Sequence, residues 1–250
     1  MAQVIAVTNQ KGGVGKTTTT INVAYNLAKS GQRVLLVDLD PQGNATSGLS
    51  VTKNSHTTRD VLSGKITPNE AVQKTNYAKL DVLPTDAELA TLETEIATAK
   101  DRALRLKAAL AQLDYDIVII DCPPSLGLLT VNALTAAQSV LIPVQTEYYA
   151  LEGLGQLLET MKLVRGALNP RLAILGVVMT MHNARTTLSA QVEDQLRTHF
   201  KERLFETVVP RNIRVAEAPS HGKPVGEYDK WSKGARAYKA LTKEVMERLK

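Results

Sequence analysis

The residues best equipped for chemistry lie near the start of the chain. Residues 9–18 read Asn-Gln-Lys-Gly-Gly-Val-Gly-Lys-Thr-Thr, so Lys11 and Lys16 bracket Gly12, Gly13, Val14 and Gly15, and Thr17 and Thr18 follow at once. Glycines let a backbone turn inward until several N–H groups converge on one anion, and a helix that starts there adds the positive end of its dipole. At this spacing Lys16 is expected to meet the β- and γ-phosphates of ATP. Thr17 offers a hydroxyl to Mg2+, and Thr18 reaches the α-phosphate. The strict phosphate-loop pattern has glycine five positions before Gly15, where Gln10 stands. The loop therefore deviates by one residue and carries one lysine more than usual.

Hydrolysis of a nucleoside triphosphate also needs carboxylates near the metal, and two segments supply them. Asp121 ends the apolar run Ile117 to Ile120 and is followed by Cys122-Pro123-Pro124, which stops a strand sharply. A carboxylate in that position holds Mg2+ directly or through water. Asp38 and Asp40 close the run Arg33 to Val37 and lead into Pro41-Gln42-Gly43-Asn44. Asp38 is assigned to the metal with Thr17 and Asp121, and Asp40 to orienting the attacking water. An Asp before proline is by itself more often a turn former. The neighbouring phosphate loop reverses that weighting.

These residues need elements that deliver them to one place. Gln3 to Thr8, Arg33 to Asp38, Leu80 to Leu83, Ile117 to Asp121, Ser139 to Val144 and Leu172 to Thr180 are short β-branched runs separated by helix-length stretches. Several are apolar throughout, as strands are when helices cover both faces of a parallel sheet. The predicted fold is α/β, a doubly wound, mostly parallel sheet forming one domain over 1–250. Its ligand belongs beyond the carboxyl ends of the strands, where each motif begins. A helix is predicted over Thr19 to Lys29. A closing helix is predicted over Lys233 to Lys250, with Tyr238, Leu241, Val245 and Leu249 on one face. Residues 51–100 show short helical patterns and no site.

Composition narrows the function classes. Only 4% of residues are aromatic, so the core must come from Val, Ile, Leu and Ala. Cys122 is the single cysteine, which excludes an internal disulfide and a one-chain thiolate cage and suits a reducing cytoplasm. No signal-peptide pattern precedes Val4, and no apolar run is long enough to span a bilayer. The net charge of +5 is unevenly spread: residues 1–161 carry −3 and residues 162–250 carry +8. A polyanionic partner for the last third is expected, against the plainer reading of a solvated basic surface.

The residues 11–18, 38–44 and 121–124 closely resemble the ParA family, also called Soj, the partition ATPases of bacterial chromosomes and plasmids. The likeness continues through 145–153, 210–214 and 216–224. In that family the first glycine is absent and an early lysine present, so Gln10 fits the pattern. The resemblance implies that Lys11 reaches across an ATP-dependent homodimer to the partner's phosphates, in the manner of an arginine finger. Gly12 is then small because two sites meet face to face, and Pro210 and Asn212 line the adenine pocket. It further implies non-specific double-stranded DNA binding by the dimer, a nucleoid location, and hydrolysis stimulated by a ParB-like centromere-binding protein. Arg185 and Arg214 match arginines the family uses for DNA. Lys223, Lys230, Lys233 and Arg236 are added on charge alone. With a strand starting at Gln3, no helix-turn-helix precedes it, and the short chromosomal type is expected.

A MinD-like membrane ATPase is the nearest alternative, since it shares the two-lysine loop. Its C-terminal amphipathic helix needs a cationic, aromatic face, whereas residues 242–250 carry Glu244 and Glu247 and no aromatic. The nitrogenase iron protein uses two cysteines per subunit for its shared cluster, which Cys122 alone does not provide. A nucleotide-binding module without turnover leaves Asp40 and Asp121 without a role.

Overall fold

The computed structural model describes residues 2–52, 56–147, 152–183 and 186–250. Arg185 lies outside them, as do Tyr148, Tyr149, Ala150 and Leu151 of the family-like segment. Strands β1 (Gln3–Val7), β2 (Val34–Asp38), β3 (Gln73–Lys74), β4 (Leu80–Leu83), β5 (Ile117–Asp121), β6 (Ser139–Gln145) and β7 (Ala173–Thr180) form one sheet in the order β3-β4-β2-β5-β1-β6-β7. Every pairing is parallel except β3 with β4. β1 lies at the switch point: the chain leaves it toward β2 on one side, and β6 and β7 extend the other. A crevice at the carboxyl ends is the consequence.

Both faces of the central strands are apolar, and adjacent residues feed opposite layers. Val4 and Ala6 of β1, Leu35 and Val37 of β2, and Val118 and Ile120 of β5 join one buried cluster. Ile5 and Val7, Val34 and Leu36, and Ile117 and Ile119 join the other. This explains why the strand sequences do not alternate. Each large aliphatic side chain so buried contributes about 1.5–3 kcal/mol. The second cluster is covered by the P-loop helix (Lys16–Lys29) and the closing helix (Lys233–Arg248), whose Tyr238, Leu241 and Val245 are buried. That helix therefore turns its apolar face to the core. No helix among the described residues is long and apolar enough to cross a membrane.

Two elements differ from expectation. The P-loop helix begins at Lys16 and not Thr19, because Gly15 adopts φ 83° and its carbonyl accepts the Thr19 amide at 2.9 Å. A left-handed residue is open to glycine at little cost and sets the helix start. Strand β3 has no counterpart among the predicted strands: its two residues, Gln73 and Lys74, carry no periodic signal.

Candidate nucleotide site

Parallel register decides where the motifs meet. Val7 of β1 pairs with Asp121 of β5, and Asp121 pairs with Asp38 of β2. The phosphate loop leaves the sheet immediately after Val7, so loop and carboxylates share one edge. The loop is strapped from behind. Thr180 Oγ1 of β7 donates to the Val14 carbonyl at 2.8 Å, and Asn9 Nδ2 donates to the Pro143 carbonyl at 2.8 Å. Asn9 Oδ1 accepts the Lys11 amide at 3.1 Å. Gly13 at φ 74° and Gly15 at φ 83° make the turns that side chains resist.

Lys16 curls back over the loop and donates Nζ to the Lys11 carbonyl at 3.1 Å. It is buried, and loss of water lowers its pKa, partly offset by Asp121 and then Asp40. An anion seated in the loop would supply the charge that burial denies it.

Asp121 is fully buried. Its Oδ1 accepts Thr20 Oγ1 at 2.9 Å, while Oδ2 has no partner among the described residues. Burial and then the Asp38 charge push its pKa up, and the hydroxyls of Thr17 and Thr20 pull the other way. Asp38 is raised too, by burial first, although it accepts Thr46 N at 2.8 Å, Thr46 Oγ1 at 2.7 Å and Asp40 N at 3.2 Å. Asp40, 7% exposed, accepts the Gln42 amide at 3.1 Å, and its carbonyl accepts the Gly43 amide at 2.8 Å. The Asp-Pro turn is therefore real, and it leaves this carboxylate close enough to Lys16 to act on its charge.

The residues present suit a magnesium nucleotide. Among the described residues no cluster of three His, Cys, Asp or Glu forms a metal cage. Mg2+ does not need one, since it takes one or two carboxylates together with phosphates and waters. The unsatisfied Oδ2 of Asp121, fully buried beside Thr17, is an acceptor of the required kind. Cys122 is buried, its thiol held protonated by desolvation, and serves as packing.

Lys11 points elsewhere. Its Nζ lies 3.4 Å from Glu147 Oε2, and Arg211 approaches the other oxygen at 3.9 Å. Gly12 has a conformation open to any residue, and a Cβ built on it meets nothing within 4 Å. Its own chain does not require glycine there. Pro210 bridges to His182, and neighbouring Met181 packs near Gly15, which brings 210–212 to the loop's flank. Asn212 Oδ1 caps the following short helix through Val215 N at 3.3 Å.

Arg214, Lys223, Lys230, Lys233 and Arg236, the described basic candidates, are exposed at scattered places. Arg214 already pairs with Glu217 at 2.9 Å and Asp229 at 3.5 Å. Lys223, Lys230, Lys233 and Arg236 have no ion pair among the described residues. The motifs did not announce Thr20, Thr46, Thr180 or Glu147. Thr20 could have been found as the threonine one turn beyond Lys16, but Thr19 is equally buried and only the bond to Asp121 sets Thr20 apart.

A family model described as an AAA domain matches residues 2–174. The sporulation initiation inhibitor protein Soj of Bacillus subtilis is 53% identical over 249 residues, covering 98% of each chain. The chromosome partitioning protein ParA of Caulobacter vibrioides is 50% identical over 252 residues, covering 98% of this chain and 94% of its own. The chain belongs to the ParA/Soj family. Among solved structures, cobyrinic acid a,c-diamide synthase of Mycobacterium smegmatis with a bound ATP analogue and magnesium matches with TM-score 0.90 and 38% identity, covering 100% of this chain and 96% of that one. The partition proteins, at 50% and 53%, stand closer in sequence, and the ParA/Soj assignment follows them. The doubly wound fold and the family resemblance read from the motifs both hold.

Proposed function

We propose that this ParA/Soj-family chain is a single-domain ATP hydrolase of chromosome or plasmid segregation, switching between a free monomer and an ATP-closed sandwich dimer that holds non-specific DNA. The observation that carries it is the convergence of Lys16, Asp40 and Asp121 on one buried edge beside a glycine loop. The names of the Soj and ParA relatives support the cellular role.

The P-loop amides and Lys16 bind and orient the triphosphate, and with Thr17, Thr18 and the helix start they neutralise its charge. Thr17 and Asp121 would hold Mg2+, with Asp38 behind them through water, and the ion would supply charge stabilisation at the β- and γ-oxygens. Asp40 orients the attacking water for in-line displacement. Pro210 and Asn212 flank the adenine. Lys11 leaves Glu147 for the partner's phosphates, a small loss because exposed ion pairs are worth about 0–1 kcal/mol. Gly12 gives the two loops room to approach. Arg185, Arg214, Lys223, Lys230, Lys233 and Arg236 then face DNA from both protomers, and a ParB-like partner accelerates an otherwise slow turnover that releases it. The protein works in the cytoplasm, on the nucleoid.

DNA binding measured with ADP, ATP and a slowly hydrolysed analogue, and repeated against anionic liposomes, tests this reading. Retention on DNA with the analogue alone is expected. Equal binding with ADP, or binding to liposomes in place of DNA, overturns it.

A further inference from the structure

Away from the nucleotide edge, the last turn of the P-loop helix and the outer face of the closing helix flank a groove of about 890 Å3. Its volume falls within the roughly 300–1,000 Å3 of ligand-binding clefts. Tyr25 and Ala235 are buried in its floor, and Met246 is half-buried beside them. Around the rim stand Lys29, Lys230, Arg236, Lys239 and Lys243, all exposed, and no carboxylate among the described residues lines the groove. Arg236, Lys239 and Lys243 recur three and four residues apart, so one face of the helix is cationic while the opposite face is core. Among these five, only Lys243 forms an ion pair with a described carboxylate, Glu247 at 3.8 Å.

Trp231 also lines this groove and is 77% exposed, with the Lys230 ammonium 5.2 Å from its ring centre. A tryptophan beside a concave apolar floor is the side chain most apt to anchor a protein contact. The chemistry of the occupant follows from the two halves of the lining. Duplex DNA would present phosphates to the rim and leave the apolar floor in water. A bilayer would meet the charges first, because Tyr25, Ala235 and Met246 lie behind them and exposed Trp231 alone offers it little apolar surface. A peptide offers both parts at once.

We propose that this groove docks a short acidic segment of a partner protein, seating large apolar side chains against Trp231 and Met246 and pairing its carboxylates with the five cations of the rim. Lys230 and Arg236, assigned to DNA on charge alone, would then serve this partner.

Trp231 is the only tryptophan in the chain and reports directly on occupancy. The probe is a labelled amphipathic peptide of Glu and Leu at helical spacing, added to the full chain, with a Gln-for-Glu version, short duplex DNA and phosphatidylglycerol vesicles as comparisons. The acidic peptide should raise anisotropy and blue-shift Trp231 emission, with affinity falling as salt rises. Lys239→Glu with Lys243→Glu should weaken it at least about tenfold, and a Lys-for-Glu peptide should bind that double variant in preference to the unsubstituted chain. Trp231→Ala should cost a similar factor. The proposal falls if the Gln peptide binds equally well, if the charge-swapped pair shows no preference, or if DNA or vesicles displace the acidic peptide and give the same shift.

Discussion

Asp38 and Asp121 stand directly opposite one another at the ends of β2 and β5, two buried carboxylates in register on neighbouring parallel strands. Neither is bonded to a cationic side chain among the described residues, so burial and mutual repulsion hold a proton on the pair. Asp121 is pushed up to about 8. Unfolded, it titrates near its ordinary value of about 3.9. A raised folded pKa gives stability that is present at low pH and lost as pH climbs from the unfolded value toward the folded one. The nucleotide-free protein should therefore lose stability from about pH 4 to about pH 8, by on the order of 1 kcal/mol per pH unit at most, and level off above. Thermal unfolding of the parent and of Asp121→Asn checks this: the variant should lose the slope above about pH 6 and keep, below it, the part that buried Asp38 contributes. Saturating Mg2+ and nucleotide should flatten it in the parent, and chelating the metal should restore it.

Lys16 carries a desolvation penalty where it lies buried over the loop. Lys16→Ala should then leave the nucleotide-free Tm unchanged or slightly higher, while removing charge-assisted bonds worth about 1.5–3 kcal/mol to the phosphates. A loss of roughly tenfold or more in ATP affinity is expected by calorimetry. Undiminished binding would refute the loop assignment.

Gly12 meets nothing of its own chain. Gly12→Val should stay within about 0.5 kcal/mol of the parent in stability and still bind ATP as a monomer. Light scattering with ATP should show that no dimer forms. A dimer that persists would mean the loops do not approach face to face.

Asp40 holds its own turn as well as facing Lys16, so truncation would confuse two effects. Asp40→Asn keeps the size and one oxygen. Phosphate release should fall by roughly 100- to 10,000-fold with ATP affinity kept. Normal turnover would take the water-orienting role away from this residue.

Arg214 is shared between Glu217 and Asp229, and reversing its charge would crowd three carboxylates. Arg214→Gln is the cleaner change. If Arg214 neutralises a DNA phosphate, the slope of log affinity against log salt should flatten by about 0.9 for each phosphate left without its cation, in each protomer. An unaltered slope would place the DNA face elsewhere.

Much of the site was legible because it depends on local order. A strand, a glycine turn, a lysine and a helix start within a dozen residues leave little conformational choice, so the loop reads directly from Val7 to Thr18. The carboxylates were legible for the same reason, each ending an apolar strand. The threonines that serve them were not. Thr46 reaches Asp38 across eight residues and Thr20 reaches Asp121 across 101, and a hydroxyl carries no periodic or charge signal of that reach. In residues 51–100 the short helices carry local start signals, the capping boxes Thr57/Asp60 and Thr67/Glu70, whereas the two-residue β3 is held by its pairing with β4.

The sequence alone determined the phosphate loop, the apolar strands and the family, since backbone preference and side-chain type act over a few residues. Tertiary structure decided which groups become partners. Parallel register set Asp38 beside Asp121, β7 strapped the loop through Thr180, and Glu147 came to hold Lys11. It also turned the amphipathic closing helix inward, so that its apolar face fills the core and its cationic face borders the Trp231 groove. Those outcomes depend on distances between segments far apart in the chain, which only the packed sheet fixes.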